Sequence, residues 1–221
     1  AAGNTAGYEY DTVGRLVRSA PPAGEASTYE YDANSNQTVS VAPGNARLEY
    51  TYDTLGRLVG SKDPSNAVTS YEYDAAGNQT AVTTSDGTTR SYYDDGDRLI
   101  KTVDAAGGIT LYTYDAEGNI KTVTDPAGKV TGYAYDVTGR LTSITNPDAS
   151  AVSYTLDNEG KTTAAVDELG RTLSYTYDAA GRITQTTDAL NRTVSYPYDA
   201  AGRRLTGTDA GGHVTRYEYD A

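Results

Sequence analysis

An all-β fold of stacked antiparallel β-hairpins is what this sequence predicts, and three observations predict it. The motif Tyr-x-Tyr-Asp recurs from Tyr8-Glu9-Tyr10-Asp11 to Tyr217-Glu218-Tyr219-Asp220. Its closing aspartates (Asp11, Asp32, Asp53, Asp74, Asp94, Asp115, Asp136, Asp157, Asp178, Asp199 and Asp220) lie 21 residues apart at every step but one, which is 20. Each motif leads into a turn of the Asp-x-x-Gly kind, as in Asp53 to Gly56, and a second turn with its own Gly or Asn follows, as in Asp63-Pro64-Ser65-Asn66. Finally, all 21 tyrosines fall inside the motif, whereas Leu, Val and Ile total only 32 of 221 residues and Phe, Met, Trp and Cys are absent. Taken alone, that composition with a net charge of -12 sits in the disordered range. A fixed period of this size outranks it, because a disordered chain has no reason to hold its tyrosines in register.

Within a repeat, Tyr-x-Tyr places both rings on one face of a strand, since side chains alternate with period two. Asp then opens a turn by accepting from the amide two residues on, and Gly supplies positive φ. On this reading Asp53, Gly56, Asp115, Gly118, Asp136, Gly139, Asp178 and Gly181 are structural turn residues. A second strand follows, for example Arg140-Leu141-Thr142-Ser143-Ile144-Thr145, and then the second turn. Two turns per repeat mean two strands per repeat. A parallel β-helix with one coil per repeat would stack the aspartates at roughly 4.8 Å, where like charges repel; a hairpin stack separates them by about 9.6 Å. The hairpin stack is therefore expected, as one long curled or spiralling β-strip, since long open sheets curl.

The array covers residues 1–221, about ten repeats. Ala1 to Gly7 read as the tail of a preceding repeat and Ala221 follows a motif directly, so a fragment of a longer array is expected, because capping units are missing. Four places are irregular. The 20-residue step between Asp74 and Asp94 brings Tyr92 and Tyr93 side by side, and a bulge or register adjustment is expected there. Leu156 replaces a second tyrosine. Pro197 must lie where no ladder donor is needed. Ser19 to Ser27, with Pro21 and Pro22, makes the least regular second turn.

Tyr-x-Tyr-Asp-x-x-Gly-Arg-Leu with an Asp-Pro-x-Gly type of second turn resembles the RHS or YD repeat over essentially the whole chain. The resemblance implies the polymorphic toxins, Tc toxin shell components, wall-associated proteins and teneurins, in which such strips spiral into a hollow shell. It implies a non-enzymatic wall segment that encapsulates or displays another polypeptide such as a toxin, partnered by the rest of its own shell, and a secreted or cell-surface location. Asp125-Pro126-Ala127-Gly128-Lys129 comes nearest to the family's Asp-Pro-x-Gly-Leu cleavage motif, but it stands at an ordinary second turn with Lys129 in place of leucine.

The residues themselves exclude several chemistries. A pI near 4.4 and scattered Lys and Arg argue against nucleic acid. No apolar run is long enough to span a membrane as a helix. His213 is the single histidine and there is no cysteine, so neither a His-dependent triad nor a thiol nucleophile can be assembled. No catalytic residue, cofactor or metal is expected; the repeated aspartates read as turn caps and not as calcium ligands. The binding candidates are the aromatic face, Tyr50, Tyr52, Tyr71, Tyr73, Tyr112, Tyr114, Tyr133, Tyr135, Tyr175 and Tyr177, which could pack an enclosed segment or stack on glycans. A carbohydrate or cell-surface binding module is the alternative reading, and a homo-oligomer or fibre built through open strand edges is the third. The fourth residue after each aspartate alternates Arg15, Asn36, Arg57, Asn78, Arg98, Asn119 and Arg140. That alternation predicts a two-repeat packing unit, or pairing of basic with acidic groups on alternate hairpins.

Overall fold

The structure is a computed structural model and describes residues 5–209 and 211–220; the expectations for Ala1 to Asn4 and for Ala221 lie outside the described residues. The chain divides into two compact units, one ending at Thr110 and one starting at Leu111. In the first are β1 (Gly7–Tyr10), β2 (Leu16–Ala20), β3 (Ser27–Tyr31), β4 (Gln37–Ala42), β5 (Ala46–Tyr52), β6 (Leu58–Lys62), β7 (Val68–Tyr73), β8 (Gln79–Thr84), β9 (Gly87–Tyr93) and β10 (Leu99–Val103). The second holds β11 (Ile109–Tyr114), which begins at the boundary, β12 (Ile120–Thr124), β13 (Val130–Tyr135), β14 (Leu141–Thr145), β15 (Ala151–Leu156), β16 (Thr162–Val166), β17 (Thr172–Tyr177), β18 (Ile183–Thr187), β19 (Thr193–Ser195), β20 (Thr206–Thr208) and β21 (Val214–Arg216). A single turn of 3-10 helix, Pro43–Asn45, is the only helical element among the described residues.

Within each unit every strand pairs antiparallel with the next in sequence, so the motif strands β3, β5 and β7 are separated by β4 and β6. The two-strand spacing of equivalent motif residues follows, and a one-coil-per-repeat helix is excluded. Both tyrosines of a motif share a face: in β3, Ser27, Tyr29 and Tyr31 are half-buried while Thr28 and Glu30 are exposed. This face carries the half-buried rings, while the most buried side chains lie on the face opposite. Among the described residues Val39 and Ala81 are the only buried hydrophobic side chains. The accessible surface of 14249 Å² exceeds the about 9,700 Å² expected of a compact globule of 23.4 kDa. Tyrosine thus builds a single layer with two faces and almost no core.

The motif hairpin of β9 and β10 carries the expected register shift, with Leu99 facing Tyr93 and Lys101 facing Tyr92, while the missing residue itself is taken from the second turn. The second turn shrinks to the two residues Ser85 and Asp86 between paired Thr84 and Gly87, and β8 and β9 pair without a register shift. Ser91 therefore takes the first-tyrosine position opposite Thr102, and Tyr92 turns to the opposite face, where Lys101 lies 4.8 Å from its ring. The same bulge occurs regularly in other motif hairpins. In the pairing of β5 with β6, Thr51 faces Gly60 and Tyr52 faces Leu58, leaving Val59 extra, and the same step recurs in other motif hairpins of both units. Pro197 breaks its hairpin: β19 stops at Ser195, and the Pro197 carbonyl accepts from the Leu205 amide at 2.8 Å. Leu156 keeps the tyrosine face, opposite Thr162. The link from Ala20 to Ser27 is the irregular one, as expected.

Candidate functional site: the aromatic face and its repeat-to-repeat clamps

Each first turn is a three-residue loop closed by two backbone bonds: Asp53 N donates to Arg57 O (2.9 Å) and Gly56 N to Asp53 O (3.0 Å), with Gly56 at φ 78. Second turns such as Asp63 to Ala67 close in the same way. The aspartate cap is fuller than one amide, for Asp53 Oδ1 accepts from the amides of Leu55 and Arg57, both at 2.9 Å. Its Oδ2 accepts from Arg57 Nε at 2.7 Å.

The basic residue four positions after each aspartate departs from the expected pairing. It pairs with the aspartate of its own turn and not with acids on alternate hairpins: Arg15, Arg140, Arg182 and Arg203 repeat the Arg57 geometry. With its other nitrogen it reaches forward one repeat. Arg57 Nη1 donates to Asp74 O at 3.0 Å, Arg15 to Asp32 O at 2.9 Å and Arg140 to Asp157 O at 3.0 Å. The same guanidinium lies over the next repeat's second tyrosine, 4.8 Å from the ring of Tyr73 for Arg57 and 4.8 Å from that of Tyr31 for Arg15. That tyrosine in turn donates its hydroxyl back across the repeat boundary. Tyr73 donates to Leu58 O at 2.9 Å, Tyr31 to Leu16 O at 2.8 Å, Tyr52 to Gln37 O at 3.0 Å and Tyr177 to Thr162 O at 2.7 Å. Successive repeats are stapled by a clamp of Asp, Arg and Tyr.

Asparagine at the same position behaves differently. Asn36 and Asn119 donate to the aspartate of their own turn, at 2.9 and 3.0 Å, while Asn78 also reaches Asp97 Oδ1 at 2.7 Å. The Arg and Asn alternation thus has a structural meaning: Arg positions carry the forward bond to the next backbone, which supports the two-repeat unit. Ion pairing between hairpins does exist, but through other residues on the opposite face. Arg90 and Glu72 approach to 3.8 Å across Ala81, and Arg47 and Glu30 to 3.9 Å beside Val39. These are the two buried apolar residues, covered by side chains from the flanking strands.

Electrostatically the turns are tuned to the ionised aspartate. Amide donation from Arg57, with the Arg57 side chain and the Leu55 amide, holds Asp53 below the usual carboxylate range, and the Thr138 hydroxyl is the largest cause for Asp136. Asp115 is lowered chiefly by Asn119 and Asp178 by the Arg182 amide. Because folded values lie below the unfolded value of about 3.9, the caps contribute in full above that pH and lose their contribution as pH falls through the folded values. Thermal or urea midpoints are accordingly expected to be level from pH 8 to about pH 5 and to fall steeply below about pH 4. A midpoint that holds to pH 3 would contradict the capping role.

The predicted aromatic residues divide into two sets. The second tyrosines, Tyr52, Tyr73 and Tyr177, are committed to clamps, and burial raises the Tyr52 phenol above its ordinary value. The first tyrosines Tyr50, Tyr71, Tyr112, Tyr133 and Tyr175 are half-buried on the same face, without an equivalent hydroxyl bond to the chain. Beside that row, the second unit carries a groove of about 540 Å³ lined by Val152, Tyr154, Ala165, Leu173 and Leu190. Arg171 and Arg192 flank it, each ion-paired with its own turn aspartate, Asp167 or Asp188. Among the described residues no cluster of His, Asp and Glu could hold a metal, and no helix is long and apolar enough to cross a membrane.

The teneurin YD-shell family profile matches residues 37–174 and, in a second overlapping alignment, 109–221; the RHS repeat profile matches residues 10–47. The chain belongs to the teneurin YD-shell family. Two overlapping alignments to one profile are what a repeat of constant period gives. A search of curated protein sequences returns no significant match. Among solved structures this YD-shell chain resembles the crystal structure of TcdB2-TccC3-Cdc42, with 16% identity and a TM-score of 0.70, over 92% of this chain and 12% of that one. It also resembles TcdB2-TccC3 without its hypervariable C-terminal region, with 17% identity and a TM-score of 0.71, over 92% and 12%. A third likeness is to the Photorhabdus luminescens Tc holotoxin pore, with 16% identity and a TM-score of 0.53, over 92% and 14%. At these identities the likeness is one of fold. The YD-shell chain spans about an eighth of the length of those toxin chains. Membership points to a structural shell role; shells of this type are structural and not catalytic.

Proposed function

We propose that this chain is a wall segment of a YD-type shell, and that its tyrosine face is turned toward an enclosed polypeptide. The observation that carries the reading is the single layer itself. One face bears a periodic row of half-buried tyrosines with an apolar groove beside it, and no second layer covers either within its unit. The first tyrosines and the groove are the contact set; the second tyrosines, aspartates and arginines build the wall. An aromatic lining with a wet hydroxyl at each ring holds an apolar segment without demanding a fixed sequence. The rest of the shell and the enclosed segment are then its partners, and the location is extracellular or secreted.

A photo-crosslinking residue at Tyr71 or Tyr133 in the longer protein that carries this chain tests the proposal. Adducts to a segment outside the repeats are expected. Adducts confined to neighbouring repeats would overturn the enclosed-polypeptide reading, and transfer to an added glycan would favour carbohydrate binding instead.

A further inference from the structure

We propose that the face opposite the tyrosines, over β13 to β18 of the second unit, docks onto the same face of a second copy of this chain. The proposal rests on the shell reading only in that a tyrosine face turned inward leaves this one outside. The register identifies its residues by rows: Ala134, Ser143, Ser153, Val166 and Thr172 in one, Thr155, Ala164, Ser174 and Thr187 in the next. Gly132 and Thr145 pair at one end, Thr176 and Gln185 at the other. None of these residues is charged, and none is larger than glutamine. The corresponding face of the first unit is quite different. There Glu9 pairs with Arg18 at 2.7 Å, Arg47 with Glu49 at 3.0 Å, and Glu30, Lys62, Glu72 and Arg90 occupy the same positions.

Self-recognition follows from this chemistry. A two-fold contact must be complementary to itself, so a charged patch meets its own sign whereas a neutral one does not. For a chain of net charge -12, that makes a neutral face the place where two copies can approach. Hydroxyls both donate and accept, so Ser and Thr on one copy can satisfy Ser and Thr on another. Here some already bond within the sheet: Thr142 donates to Ala134 O and Thr163 to Thr155 O, both at 3.1 Å, and Thr176 and Thr184 share a bond of 3.0 Å. Small side chains also let a second sheet pack at about 10 Å. These thirteen positions, at about 33 Å² of sheet each, offer about 425 Å² per copy, or about 850 Å² in all. That is the size of a weak, transient contact, so a readily reversible dimer is expected.

Sedimentation velocity of the 221-residue chain from micromolar to millimolar concentration reads the equilibrium directly. A monomer and dimer in exchange are expected. Ser153→Glu with Ser174→Glu should weaken association by about tenfold or more through like charges across the contact, as should Ser153→Lys with Ser174→Lys. Mixing the acidic and basic variants should restore it, and Thr51→Glu in the first unit should leave it unchanged. Circular dichroism confirms that each variant is folded. A monomer at every concentration overturns the proposal, as does association that neither variant weakens or that mixing fails to restore. Its failure leaves the crosslinking result from the tyrosine face intact, so the two readings fall separately.

Discussion

Tyr73→Ala is expected to destabilise the first unit by about 2–4 kcal/mol, more than alanine at the neighbouring Tyr71. Three interactions end together. The ring leaves a half-buried site, the hydroxyl no longer satisfies Leu58 O, and Arg57 loses the surface it stacks on. Tyr73→Phe isolates the hydroxyl and should cost about 1 kcal/mol, because only one hydrogen bond is lost. Urea unfolding followed by far-UV circular dichroism gives both values. In a repeat array the loss acts on the interface between two neighbours, so the transition should also broaden as cooperativity across that boundary weakens. If Tyr71→Ala proved as damaging as Tyr73→Ala, the clamp would not be the element that couples repeats.

The second large effect belongs to the fourth turn position. Gly56→Val forces a β-branched residue to φ 78 and should cost about 2 kcal/mol or more. The chain supplies its own converse, because Ala149 stands at the same place in the turn from Asn146 to Ser150, at φ 69. Ala149→Gly is therefore expected to stabilise by about 1 kcal/mol, the relief of left-handed strain exceeding the extra backbone entropy of glycine. Thermal melts of the two variants beside the parent chain check both signs. A stabilised Gly56→Val or a destabilised Ala149→Gly would mean that the turns are not held at positive φ in solution.

Much of this wall was legible in the sequence, for reasons that lie in short-range physics. The period two of Tyr50, Thr51 and Tyr52 fixes a shared face, and Asp53 with Gly56 fixes a turn, because both depend on residues close in sequence. What could not be read depends on the neighbouring repeat. The forward reach of Arg57 to Asp74 O spans 17 residues, and nothing local distinguishes it from an arginine paired with any acid. Its signal was the Arg and Asn alternation, which pointed to a two-repeat unit but not to the backbone carbonyl as the target. The bulge at Val59 was equally hidden, since bulged positions carry Val, Thr, Lys or Ile and no glycine marks them. At Tyr92 the pair of adjacent tyrosines pointed to the register shift that the hairpin carries, but not to the shortened second turn, which keeps Tyr93 in its clamp, donating to Gln79 O at 3.1 Å.

The division into an inward tyrosine face and an outward opposite face is the central claim, and the lack of cysteine allows a direct test of it. Thr69 and Ser70 are adjacent in β7 and point to opposite faces, Thr69 with Tyr71 and Ser70 with Glu72. Single cysteines at these two positions can be labelled with a bulky maleimide before and after denaturation. Rapid labelling is expected at position 70 of the native protein, with protection at position 69 until the shell is unfolded. Equal labelling of both in the native protein, or protection at 70 with exposure at 69, would contradict it.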